Sequence, residues 1–147
     1  DWLSTAEWSN IGVIAPYRAQ ARTIRSALLA RSRDRLEDGS IQVSTVHKFQ
    51  GEERDLIVFD STDAPGASGH FLSDLRNPSA ANLVNVAISR AKHALIVVAD
   101  VHHLRVHLGA DSALFRVIRE LMTLRDEVDA SDEADVARLH EFLRARG

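Results

Sequence analysis

One arginine lies on the apolar side of a helical segment in the second half of the chain. At about 100° per residue, Arg90 lines up with the apolar positions Leu83, Val86 and Ala87. A guanidinium in such surroundings needs an anion beside it. Two anions fit this spacing equally well. One is a carboxylate of the same domain; the other is a phosphate, which the planar guanidinium binds better than a lysine ammonium does.

Polar side chains also follow the segments that are typical of buried strands. Four short, mostly apolar runs at 11–15, 41–44, 56–60 and 94–99 predict strands. Ligands of parallel sheets bind beyond the carboxyl ends of the strands. The residues after the first three runs are therefore candidates for a site: Tyr17, Arg18 and Gln20, then Thr45, His47, Lys48 and Gln50, then Asp60, Ser61 and Asp63.

Helical segments separate these strands along the chain. Apolar residues recur at helical spacing from Tyr17 until Asp38-Gly39 ends the segment, and Ser79 is a plausible N-cap for a helix that runs to about Lys92. A third stripe follows at Leu114, Val117, Ile118 and Leu121, and residues 61–78 are expected to form an irregular loop. The pattern predicts an α/β fold in which helices cover both faces of a parallel sheet.

The length of 147 residues suits one domain with its own core. We assign residues 1–123 to this domain. Residues 124–147 are expected to form an acidic linker and a C-terminal helix with a stripe at Val136, Leu139 and Leu143, capped by Ser131. For this appendage a solvated surface is the preferred interpretation over a specific partner role.

Composition excludes several classes of protein. Hydrophobic residues make up 45% and charged residues 27%, as in folded globular proteins. No apolar run approaches the roughly 20 residues of a membrane span and the first residues lack the order of a signal peptide, so a cytoplasmic location is expected. The absence of cysteine rules out disulfides, and His102, His103 and His107 do not predict a metal site. A net charge of −3 means that any nucleic-acid contact must be local.

Three segments resemble motifs IV, V and VI of superfamily 1 helicases in order and spacing. They are residues 12–20 (GVIAPYRAQ), 43–55 (VSTVHKFQGEERD) and 85–92 (NVAISRAK), within a match over about 11–99. The sequences of these motifs are closest to those of the branch of the nonsense-mediated-decay helicase, and residues 45–48 resemble the RecD type. The resemblance implies the second RecA-like domain of such a helicase.

The resemblance also implies roles for single residues. Arg90 matches the arginine that reaches the γ-phosphate of ATP held on the partner domain, and Glu53 matches an acceptor for the ribose hydroxyl. Gly51 would let the backbone approach the nucleotide, because it has no Cβ. Gln20 falls at a motif IV glutamine of the same cleft, whereas Arg18 departs from the acidic residue found in some relatives, so the resemblance assigns it no phosphate contact.

Motif V also resembles a segment that contacts a single strand through hydroxyls, backbone amides and a basic side chain. Here the matching residues are Ser44, Thr45, His47 and Lys48. Ordinary structural roles remain open for several candidates. Thr45 could cap a turn, Glu53 could pair with Arg54 or Lys48, and Gln20 could be solvated. The helix stripe of Asn82, Asn85, Ser89 and Lys92 is interpreted as a solvated face.

The chain lacks both a Gly-x-x-x-x-Gly-Lys-Ser/Thr loop and an Asp-Glu pair after a strand. We therefore expect it to be part of a larger helicase, with no ATP hydrolysis of its own. Its partners would be an N-terminal RecA-like domain, which holds most of the Mg²⁺ contacts, ATP, and single-stranded DNA or RNA. Two alternatives are a helicase-like module retained only for binding and a free-standing domain for a small ligand. The second is weakened because no glycine-rich loop follows the first strand.

Overall fold

The structure is a computed structural model that describes residues 8–49, 51–61, 72–73, 77–109 and 111–124, and helical backbone at 133, 134, 137 and 141. Its elements alternate between strands and helices. In chain order they are β1 (Ile11–Ala15), α1 (Arg18–Leu29), α2 (Arg33–Glu37), β2 (Ile41–Thr45), the 3₁₀ turn η1 (Val46–Phe49), β3 (Arg54–Asp60), α3 (Ala80–Ile88), β4 (Ala91–Val98), α4 (Val101–Leu108) and α5 (Ala113–Leu124).

The four strands form one parallel sheet in the order β2-β1-β3-β4. The register places Ala15 beside Thr45 and Asp60 beside Val98, so these residues mark the carboxyl edge. Asn10, Arg54 and Ala91 mark the amino edge. The chain leaves β1 toward β2 on one side and returns to β3 on the other, which makes the β1/β3 boundary the switch point of the sheet.

Helices cover both faces of the sheet, which confirms the predicted α/β fold. The side chains of each strand alternate between two cores. On one face Val13 and Val58 pack with Leu36 of α2 and with Ile24 and Leu28 of α1. The other face packs against η1 and α3–α5, and its largest buried members are Ile14, Phe49, Ile57, Phe59, Val84, Leu104 and Leu114.

Gly12 lies where the backbone of β1 approaches the second core closely. A Cβ at this position would meet Ile57 Cδ1 at 2.6 Å, Phe49 Cε1 at 2.9 Å and Arg54 Cγ at 3.1 Å. Two of these distances are shorter than real Cβ contacts allow. The absence of a side chain at Gly12 therefore lets η1 and β3 pack directly on β1.

Two predicted helix boundaries are wrong, and the predicted N-cap position of Ser79 is right. The predicted helix from Tyr17 to Asp38-Gly39 is two helices, because the amides of Arg31 and Ser32 both donate to Leu28 O and close α1. The predicted helix to Lys92 ends at Ile88, since pairing with β3 draws residues 91–93 into β4. Ser79 occupies the N-cap position of α3, but its side chain makes no capping hydrogen bond.

One helix was not predicted. In α4, Asp100 Oδ1 accepts a hydrogen bond from the amide of His103 at 2.8 Å, which caps the helix after β4. Most of the predicted loop at 61–78 and the predicted cap Ser131 lie outside the described residues, and the boundary at 123/124 stays a prediction. Among the described residues, no helix has the length and apolarity required to cross a bilayer.

Candidate nucleotide and nucleic-acid site

Arg90 lies at the amino edge of the sheet, between the end of α3 and the first residue of β4. Its Nη2 donates to the Ser89 hydroxyl at 3.1 Å, and that hydroxyl donates to Val86 O at 3.2 Å. The Nε atom is buried and has no hydrogen-bond partner among the described residues, while the side chain as a whole is partly exposed. Within the part of the chain that the structure describes, no carboxylate lies within ion-pair distance of Arg90. The described residues therefore do not supply the internal salt bridge that the spacing left open.

The end of the motif V segment lies beside Arg90. The amide of Arg54 donates to Arg90 O at 2.9 Å, which joins the start of β3 to the turn before β4. Glu53 is exposed, and its Oε2 is 4.0 Å from Lys92 Nζ. Arg54 and Lys48 were predicted as alternative partners of Glu53. Neither of them forms a described ion pair with Glu53. The structure thus brings Arg90, Glu53 and Lys92 together at one edge.

Gly51 has a backbone conformation that favours glycine. Its φ of +93° lies in the left-handed region, and no described residue other than its chain neighbours lies within 4 Å of where a Cβ would project. The glycine is therefore required by backbone conformation rather than by crowding from the chain's own atoms.

Arg54 fixes the base of this loop, and sequence reasoning missed it. Its Nη1 donates to Asn10 Oδ1 and to Gly39 O at 3.2 Å. Its Nη2 donates to Gln42 Oε1 and pairs with Glu52 at 3.1 Å. Only 16% of the Arg54 side chain is exposed. These partners come from three separate segments, so no local pattern of residues could have indicated the network.

Gln20 lies at the opposite, carboxyl edge. Its Nε2 donates to Asp60 Oδ2 at 3.0 Å, which connects the first turn of α1 to the end of β3 across the switch point. The structure therefore does not bring Gln20 together with Arg90 and Glu53. Ser44 and Thr45, the last residues of β2, lie at this same carboxyl edge beside the end of β1.

The remaining motif V candidates are carried by η1. Val46 and Phe49 are 2% and 0% exposed and are held in the core between the sheet and α3. This anchoring leaves the intervening His47 and Lys48 exposed to solvent. The described residues 44–49 and 51–53 thus lead from the carboxyl edge across one face of the sheet to Glu53 beside Arg90.

Two of the three histidines of α4 contact each other. The rings of His103 and His107 lie 4.0 Å apart between centroids. Over the described ranges, no group of three or more potential metal-binding side chains occurs.

The geometry defines a parallel α/β domain with an arginine that has no described carboxylate partner at one sheet edge and a polar segment that joins both edges. The family model described as AAA domain matches residues 2–102. The chain belongs to this family, which is a C-terminal region of superfamily 1 helicases. The predicted RecA-like helicase domain is thereby confirmed, while its placement in the nonsense-mediated-decay branch stays a prediction.

Several curated relatives are similar to the chain. The DNA replication ATP-dependent helicase/nuclease DNA2 of Mus musculus is 44% identical over 99 residues, which is 66% of this chain and 8% of that protein. The DNA2 protein of Gallus gallus is 35% identical over 116 residues, 78% of this chain and 11% of the relative. Helicase sen1 of Schizosaccharomyces pombe is 33% identical over 96 residues, which is 65% of this chain and 5% of that protein. The match thus spans about a tenth or less of each relative's length.

Proposed function

We propose that the chain is the C-terminal motor domain of an ATP-dependent nucleic-acid helicase or translocase. In this proposal an N-terminal RecA-like domain of the same protein faces the amino edge and holds ATP with most of its Mg²⁺ contacts. Membership of the helicase family supports the proposal, as do relatives whose names describe ATP-dependent helicases. The observation that carries it is the guanidinium of Arg90, which has no carboxylate partner among the described residues.

The residues at the amino edge fit a nucleotide. The buried Nε of Arg90 has no hydrogen-bond partner in the part of the chain that the structure describes, so a bound ligand could satisfy it. No described residue other than its chain neighbours lies within 4 Å of where a Cβ of Gly51 would project, which leaves room for a ligand beside the backbone. Glu53 is exposed beside Lys92 with a weak contact of 4.0 Å, so it is free to accept another hydrogen bond. A polyanion with hydroxyl donors matches this combination of groups.

Each of these residues would have a distinct role. ATP supplies a phosphoryl group whose transfer places charge on the oxygens of the γ-phosphate. Arg90 would lie against those oxygens and neutralise the charge, an effect worth about 10³ to 10⁵ in turnover for arginine fingers. Glu53 would accept a hydrogen bond from the ribose, and Gly51 would allow close approach of the backbone. Ser89 would hold the guanidinium in place through its hydrogen bond to Nη2.

The single-strand track would lie along Ser44, Thr45, His47 and Lys48. Hydroxyls and a lysine contact phosphates without reading sequence, which suits a translocating protein. Because the stretch 44–53 also carries Gly51 and Glu53, a movement at the nucleotide site is transmitted to the track through ten residues of chain. Phe49 is fully buried at the centre of this stretch and would hold its two ends in a fixed position relative to each other.

A role for Gln20 at the nucleotide stays a separate prediction. Its hydrogen bond to Asp60 places Gln20 at the carboxyl edge, opposite to Arg90 and Glu53. A nucleotide would therefore have to contact Gln20 from the other domain or from another direction. The proposal does not depend on Gln20.

Strand-dependent ATP hydrolysis by the full-length protein tests the proposal. A motor is expected to hydrolyse ATP faster when single-stranded DNA or RNA is added. The alternative, a helicase-like module retained only for binding, would bind the strand without any hydrolysis. A full-length protein that neither binds single strands nor hydrolyses ATP contradicts the proposed function.

A further inference from the structure

Three arginines form a row on helix α1 that includes none of the residues assigned to the nucleotide or to the track. Arg18, Arg22 and Arg25 are spaced i, i+4 and i+7, which places them on one face of the helix. All three are exposed. Their Cα atoms extend over about 10 Å along the helix axis. We call these three residues the α1 arginine row.

The row has no acidic residue on its own helix to balance it. The sequence of α1, RAQARTIRSALL, contains neither aspartate nor glutamate. In the described parts of the chain, no carboxylate forms an ion pair with any of the three. By contrast, α2 pairs Arg33 with Glu37, and α5 interleaves its arginines with Glu120. This is an unusual local excess in a chain whose net charge is −3.

Helix stability does not explain the arrangement. Like charges at i,i+4 and i,i+3 repel each other, so Arg22 opposes both of its neighbours. Arg18 also lies in the first turn, where the positive end of the helix dipole disfavours a cation. An anion bound from outside would remove both costs.

The position of the row indicates which anion binds. α1 begins two residues after β1 ends, at the carboxyl edge where Ala15 pairs with Thr45. The helix packs on β1 and on β2, the strand that carries Ser44 and Thr45, and Arg18 is its first residue. From there the row continues down the outer face of the domain. A single strand of nucleic acid that leaves the proposed track at this edge would meet the arginines next.

We propose that the α1 arginine row is a second nucleic-acid contact surface, which binds phosphates of the strand beyond the motif V track. This inference rests on the proposed function, because it extends the same track. Guanidinium groups contact phosphates through paired hydrogen bonds and do not read bases. The row would lengthen the stretch of strand that the domain covers.

The test compares two triple variants of the full-length protein. Arg18→Gln/Arg22→Gln/Arg25→Gln removes the row. Arg105→Gln/Arg116→Gln/Arg119→Gln removes the same charge from exposed positions on α4 and α5, which cover the opposite face of the sheet. Glutamine has nearly the helix propensity of arginine, so both variants are expected to fold. Circular dichroism and thermal melting check this point.

Binding of a fluorescein-labelled oligo(dT) is measured by anisotropy across a range of salt concentrations. Because the α1 variant can no longer neutralise three phosphates, the slope of log K against log salt is expected to fall by about 2, and affinity near 0.1 M salt by up to about 100-fold. The control variant should keep the wild-type slope. A shorter oligo(dT) that fills only the track should bind the α1 variant as tightly as it binds the wild type.

Three results overturn the inference while leaving the proposed function intact. They are an unchanged slope in the α1 variant, an equal loss of affinity in the control variant, and an equal loss of affinity with the short oligonucleotide. Failure of the wild-type protein to bind either oligonucleotide would instead contradict the proposed function itself. ATP hydrolysis without nucleic acid should be the same in both variants and the wild type.

Discussion

Gly12→Ala is expected to destabilise the domain, although alanine is usually better tolerated than glycine in a strand. The new Cβ would lie 2.6 Å from Ile57 Cδ1 and 2.9 Å from Phe49 Cε1, about 1 Å inside ordinary carbon contacts. Both side chains are 0% exposed, so neither can move into solvent. Overpacking of this kind costs about 1–3 kcal/mol.

The net effect is smaller than the overpacking alone. Replacing glycine restricts the unfolded chain, which favours folding by about 0.4–1 kcal/mol. A net loss of about 1–2 kcal/mol in the free energy of unfolding remains. For a domain of this size each kcal/mol lowers the melting temperature by roughly 3 °C, so a decrease of about 3–6 °C is expected. Thermal and urea denaturation followed by circular dichroism measure both quantities.

A second substitution identifies the cause of the destabilisation. Ile57→Val removes the Cδ1 atom nearest to the new Cβ and by itself costs about 0.5–1.5 kcal/mol. In the double variant with Gly12→Ala, the sum of the two single-variant effects should exceed the measured effect, with a coupling of at least about 0.5 kcal/mol. Strict additivity, or a melting temperature of Gly12→Ala at or above that of the wild type, would refute this account of the packing around β1.

Two further predictions concern exposed carboxylates. Glu53→Ala should raise the KM for ATP about 10- to 100-fold, because a charged hydrogen-bond acceptor is lost. The folding stability of this variant should stay within about 0.5 kcal/mol of that of the wild type. Glu52→Ala is the control, and equal KM values for the two variants would contradict the role of Glu53. At Asp38, hydrogen bonds from the Ser40 hydroxyl and amide hold the carboxyl pKa below its ordinary value of 3.8. The stabilisation is complete above pH 3.8 and is lost as the pH falls through the lower pKa of the folded state. Asp38→Asn should therefore be less stable than the wild type at neutral pH, and this difference in the free energy of unfolding should disappear in acid. A difference that is independent of pH would contradict this assignment.

The strands were predictable because each contains a short apolar run. Residues 11–15 were predicted with the bounds that the structure has, and residues 41–44 and 56–60 were predicted to within two residues at either end. The start of β4 was missed because Ala91, Lys92 and His93 have no strand-like pattern. They become extended through pairing with β3, which is a long-range effect.

The location of the candidate site was harder to predict. Inspecting the carboxyl ends of the strands singled out Gln20 and Thr45, but it could not indicate Glu53 or Arg90, which lie at the amino edge. Arg90 was singled out by its spacing from Leu83, Val86 and Ala87, and Glu53 was found through the resemblance to helicase motifs. The Arg54 network joins Asn10, Gly39 and Gln42, which are far apart in sequence, so it required coordinates.

Helix α4 begins at a residue whose sequence signal has two interpretations. Asp100 closes β4 and also caps α4, and the sequence pattern indicated only the first of these roles. The segment Val101–Leu108 has three histidines and a weak apolar stripe, so its periodicity did not indicate a helix. Its burial of Leu104 and Leu108 against α5 and the sheet stabilises it instead.

The proposed motor function depends most on Arg90 acting on a nucleotide held by a neighbouring domain. The most direct measurement is ATP turnover of the full-length Arg90→Ala protein at saturating ATP and single strand, with nucleotide affinity determined in parallel and Arg105→Ala as the control. We predict a fall in kcat of about 10³- to 10⁵-fold with nearly unchanged affinity. A kcat equal to that of the control variant would contradict the assignment.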